Sequence, residues 1–88
     1  MHTITIYSKP HCHLCEVAKE AIYRLVSSHA DVLVEEINIL KNPDLHARYK
    51  DDIPVIVIDN VERFRHTVDP DKLAHIFTGE FTQKLLGF

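Results

Sequence analysis

The chain is poor in cysteine, glycine and tryptophan, with two, two and none respectively among 88 residues. Two cysteines cannot build the disulfide framework on which small secreted domains depend. They are so close together that a bridge between them would close only a tiny loop, leaving the core itself to hold the fold. A chain of this length buries about 60–65% of its unfolded surface, and the 45% apolar content is enough for a modest core. No apolar run approaches the length of a membrane span. No basic cluster is present and the net charge is −3, which gives no support for a nucleic-acid partner. Repeats, linkers and low-complexity segments are also missing, so residues 1–88 read as one domain. Met1-His2 meets a strand pattern rather than an apolar leader. The expectation is a cytoplasmic monomer with no membrane partner, in a compartment where a close cysteine pair means redox chemistry or metal binding.

What is present begins with Thr3–Tyr7, an alternating β-branched strand that Lys9-Pro10 ends, because proline cannot continue a ladder. Leu14, Val17, Ala18, Ala21, Ile22, Leu25 and Val26 then fall at helical spacing. Glu16, Lys19, Glu20, Tyr23, Arg24 and Ser27 lie opposite, with Glu20 four before Arg24 in the favourable order. Val32–Ile39 reads as a second strand, and the acids Glu35-Glu36 place it near a sheet edge. Asn42-Pro43-Asp44 caps a short helix through Tyr49. Asp51-Asp52 reads as a solvated turn. Val55–Ile58 is wholly apolar, as in a strand buried on both faces. Asp59-Asn60 makes a tight turn and Val61–His66 returns as a hairpin. Asp69-Pro70 opens a last helix whose apolar face is Leu73, Ile76 and Phe77. Gly79 is expected to break it, with a final helical segment around Phe81, Leu85 and Leu86. Tyr7, Tyr49 and Phe64 are expected to pack rather than act. The first unit is βαβ, hence parallel and right-handed, and the whole is an α/β domain with a mixed four-stranded sheet and helices on both faces.

The chemistry lies at Cys12-His13-Leu14-Cys15, between the first strand and the first helix. A C-x-x-C in that setting reads as a dithiol redox motif. Cys15 flanks the buried stripe, three and seven positions before Ala18 and Ile22. Cys12 lies at or before the first helical residue, near unpaired N–H groups and the positive helix end, both of which favour a thiolate. Cys12 is therefore the candidate nucleophile and Cys15 the resolving thiol. His11 and His13 flank the nucleophile, and a protonated imidazole there would lower its pKa further. The alternative from another class is a binding module that carries zinc or an iron–sulfur cluster. Cys12, Cys15 and His11 or His13 would be its first ligands, with His46, His66 or His75 needed to complete a zinc site.

With the strand, the C-x-x-C, the helix and Ile53-Pro54 just before an apolar strand, the chain resembles the thioredoxin-fold superfamily, most closely the short glutaredoxin-like proteins. The resemblance covers essentially the whole chain. It implies a sheet order of 2-1-3-4, with strand three antiparallel to strand one. It also implies a cis peptide at Pro54, beside the cysteines, with Ile53 offering its backbone to a substrate strand. The implied activity is that of a thiol–disulfide oxidoreductase acting on protein or low-molecular-weight disulfides, with no required cofactor and with glutathione as an optional thiol. The chain departs from common glutaredoxins in carrying His13-Leu14 between the cysteines. It also has Arg65-His66-Thr67-Val68-Asp69 where they carry a glycine pair that helps hold glutathione. Thioredoxins place a tryptophan before the cysteine pair, and here there is none.

Overall fold

A computed structural model describes residues 1–29 and 31–77. The expected order of elements is found: β1 (His2–Ser8), α1 (His13–Val26), β2 (Val32–Asn38), a 3₁₀ turn (Ile39–Lys41), α2 (Pro43–Tyr49), β3 (Val55–Ile58) and β4 (Val61–Arg65), then a helix α3 over 70–77. The expected break at Gly79 and the segment around Phe81, Leu85 and Leu86 lie outside the described residues. The sheet runs β2-β1-β3-β4. β1 pairs in parallel with β2 and antiparallel with β3, and β3 and β4 form the hairpin. This is the thioredoxin-like order, with β2 and β4 as the two edges.

Two strand ends fall one residue earlier than the pattern suggests. Asn38 turns its side chain to accept Leu40 N–H at 2.9 Å, so Ile39 opens a 3₁₀ turn instead of extending β2. His66 adopts φ 68°, a left-handed conformation that cannot continue the β4 ladder. The hairpin turn follows the same conformational logic. Asp59 and Asn60 have φ of 50° and 69°, and these two residue types tolerate the left-handed region best among those with a side chain. Asp59 is also pinned to β1, accepting Thr3 N–H at 2.9 Å and facing His2 Nδ1 at 2.6 Å. These contacts, with His2 foremost, hold its carboxyl below the usual value.

Ile4 and Ile6 of β1, Ile22 of α1, Ile56 and Ile58 of β3 and Leu73 of α3 form the main core. Phe64 packs against it from β4. A second cluster joins Cys15, Ile39 and Ile53, with Tyr7, Cys12, Leu45 and Tyr49 packed against it. The rings of Tyr7 and Tyr49 stack 4.8 Å apart, so all three aromatic residues pack as expected. The buried line of α1 is narrower than its apolar pattern. It comprises Cys15, Ala18 and Ile22, whereas Leu14 and Val17 are 44% and 50% exposed. Each lies one residue, about 100°, around the helix from a buried position. The anticipated Glu20–Arg24 pair forms at 2.8 Å. Among the described residues, no helix is long and apolar enough to cross a membrane.

Candidate functional site

The site is built where β1 hands over to α1. After Ser8 the chain passes through Lys9 and Pro10, and His11 takes φ 59°, a region few non-glycine residues occupy. Cys12 follows in an extended conformation as the N-cap of α1. Its sulfur fills the role a serine or aspartate oxygen usually takes there, accepting the Cys15 N–H at 3.2 Å, while its carbonyl accepts Glu16 N–H. Cys12 and Cys15 are joined as a disulfide with their Cα atoms 5.2 Å apart. Cys15 is fully buried and Cys12 half-buried. A nucleophile can therefore reach the first sulfur and not the second. When the bridge is opened, the same N–H and the helix end favour negative charge on Cys12.

The segment before β3 closes the other side of the site. Ile53 is 7% exposed and packs in one cluster with Cys15 and Cys12, and the Ile53–Pro54 peptide is cis. This corner is tied at both ends. Ile53 N–H donates to Tyr49 O, and His66 N–H donates to both Pro54 O and Asp52 O. Asp51 and Asp52 form the expected turn, with Asp51 exposed, but Asp52 is not fully solvated. It is half-buried, and Arg65 Nη1 lies 3.2 Å from it. Asp69 caps α3, accepting Asp71 and Lys72 N–H groups.

Cys12, Cys15 and Ile53 are thus brought together. His11 and His13 stay close to the sulfurs in sequence, but both are exposed and neither imidazole makes a hydrogen bond or ion pair among the described residues. Nor is any group of three or more His, Cys, Asp or Glu side chains among those residues placed to hold a metal ion. One arrangement is not evident from the sequence. Lys19 Nζ of α1 lies 3.0 Å from Glu36 of β2, and Tyr23 Oη donates to the same carboxylate at 2.5 Å. The phenol bond and then the ammonium lower the Glu36 pKa. The bond to Glu36, followed by burial and charge, pushes Tyr23 up to about 12. Burial alone would lower Lys19, but Glu36 and Glu16 outweigh it and the net shift is upward. The only signal in the sequence is that Lys19 and Tyr23 are four apart on one helix face. Together the three side chains clamp α1, which carries the cysteines, to the sheet edge.

Comparison with known proteins agrees with this geometry. The model of the glutaredoxin-like domain (DUF836) matches residues 3–78. The chain is 39% identical, over 77 residues, to the glutaredoxin-like protein YDR286C homolog of Dictyostelium discoideum, spanning 82% of this chain and 71% of that one. The solution structure of protein Ne2328 from Nitrosomonas europaea superposes with a TM-score of 0.70 at 27% identity, over 85% of this chain and 89% of that one. A thioredoxin variant from Halobacterium salinarum gives 0.65 at 18% identity, over 89% and 73%, and shows likeness of fold alone.

Proposed function

The chain belongs to the glutaredoxin-like domain family (DUF836), and on that premise we propose that it is a thiol–disulfide oxidoreductase working through Cys12 and Cys15. The observation that carries the reading is the pairing of a half-buried, helix-capping Cys12 with a fully buried Cys15 at disulfide distance. In the reducing direction the Cys12 thiolate attacks one sulfur of a substrate disulfide. A Cys12–substrate disulfide forms, and the other substrate sulfur leaves as a thiolate that takes up a proton. Cys15 then loses its proton to solvent and attacks the Cys12 sulfur. The substrate's remaining sulfur is released, and two electrons have passed to the substrate. The product is the Cys12–Cys15 bridge, which an external thiol, glutathione among the candidates, reopens by the reverse exchanges. The substrate is a protein or low-molecular-weight disulfide, and a cytoplasmic setting suits this direction. Ile53, held before the cis Pro54, offers its backbone to the substrate strand. His11 and His13, when protonated, add positive charge near the Cys12 thiolate.

Two variants test this. Cys12→Ser should abolish reduction of a model protein disulfide such as insulin. Cys15→Ser should instead accumulate a mixed disulfide at Cys12, visible as added mass that a reductant removes. Turnover by Cys12→Ser, or adduct formation at Cys15 in preference to Cys12, would overturn the assignment.

A further inference from the structure

A groove of about 500 Å³ runs between β4 and α3, lined by Arg63, Phe64, Asp71, Lys72, His75 and Ile76. Its volume lies within the range of pockets that hold ligands. It shares no residue with the cluster around Cys12 and Cys15, so a role for this groove is independent of the redox reading.

Arg63 and Phe64 are consecutive in a strand, and regular alternation would point them to opposite faces. They line one groove because β4 is bulged. Ile56 pairs with Phe64 and the next residue, Val57, pairs with Glu62, leaving Arg63 as the extra residue. A bulge of this kind re-aims a side chain and interrupts an edge strand that could otherwise recruit another strand. Here it sets a guanidinium beside an aromatic ring. Phe64 and Ile76 reach the main core from inside and stay half-exposed at the groove. Arg63, Lys72 and His75 are exposed, and none makes a side-chain hydrogen bond or ion pair among the described residues. Asp71 is the single acid of the lining. Two permanent cations and an imidazole thus surround one apolar floor, in a chain whose net charge is −3. The local sign is opposite to that of the molecule.

We propose that this groove docks an acidic segment of a partner protein. One aromatic or branched aliphatic side chain of the partner sits on Phe64 and Ile76, and carboxylates beside it face Arg63 and Lys72. The apolar floor favours an apolar anchor over a purely ionic contact, and the unpaired cations select the sign of what flanks the anchor.

The test is selection of random peptides on the full chain, followed by affinity measurement at low and physiological salt. The expected product is a motif with one bulky apolar residue flanked by Asp or Glu, binding more weakly as salt rises. Charge reversal by Arg63→Glu with Lys72→Glu should weaken the selected peptide by more than about tenfold. Arg63→Gln with Lys72→Gln should give an intermediate loss. All four changes are at exposed positions, and thermal melts check that the variants are folded. Basic or uncharged motifs, affinity that survives charge reversal, or no enrichment at all would overturn the proposal. So would binding of an alkyl carboxylate such as dodecanoate in a groove that takes no peptide.

Discussion

Glu36 stands between a phenol and an ammonium, and both hold it ionised. Because its pKa is lowered in the fold, the unfolded chain binds this proton more readily. The stability it contributes is complete above the unfolded value of 4.5 and is lost as pH falls through the lower folded value. Tyr23 runs the other way. Its raised pKa makes a contribution that is complete below 10.0 and lost as pH climbs through about 12. Glu36→Gln should therefore return Tyr23 toward an ordinary ionisation near 10, followed by residue-resolved NMR of the phenol. The stability gap between the variant and the native chain should shrink on acidification below 4.5. An unchanged Tyr23 titration in the variant would show that Glu36 is not the cause. Individual side chains are legible in the sequence where the governing contacts are local. Cys12 and Cys15 are three positions apart, and where the helix starts separates them: Cys12 caps its first turn and stays reachable, whereas Cys15 lies on its buried line. Lys19, Tyr23 and Glu36 are legible only as a polar helix face and an acidic strand. Their meeting depends on which strand lies beside α1, and no local pattern states that.

At the level of elements, the turn Asp59-Asn60 shows why some features can be read and others not. Its two residue types are among the few that accept left-handed backbone at low cost, so the turn announces itself. Asn60 at φ 69° makes no side-chain bond that a substitution would break among the described residues. Asn60→Ala should then destabilise the chain by about 1 kcal/mol through backbone strain, while Asn60→Gly should cost nothing measurable. Urea unfolding of the two variants checks this, and equal effects from alanine and glycine would remove the conformational explanation. The bulge at Arg63 has no such signature. Val-Glu-Arg-Phe-Arg holds no turn residue, and only the three-residue gap between Val61 and Phe64 departs from alternation, yet Glu62 and Arg65, also three apart, meet in an ion pair. In an unbroken strand they would face opposite sides of the sheet. The helix α1 is legible in extent but not in width, because its pattern cannot say that Leu14 and Val17 lie just outside the contact line.

For the molecule as a whole, the order of elements dictates a parallel βαβ unit and a hairpin. That β1 pairs with β3, which joins those two units into one sheet, comes only through family resemblance. The resulting sheet supports two separate apolar clusters. Ile22 belongs to the main core, between α1 and the sheet, and Ile39 to the cluster that holds Cys15 and Ile53. Both side chains are fully buried. Removing either to alanine leaves a similar void, so Ile22→Ala and Ile39→Ala should each cost about 2–5 kcal/mol in urea unfolding. Their effects on exchange should diverge when rates are measured where both variants remain folded. Ile22→Ala leaves the seating of Cys15 against Ile53 intact and should keep the rate of disulfide exchange. Ile39→Ala opens space in the cluster that holds both and should slow it if the proposed exchange requires the two sulfurs to be held against Ile53. Equal rates in the two variants would mean that the second cluster contributes stability alone and that the alignment of the dithiol is fixed by the helix N-terminus without it.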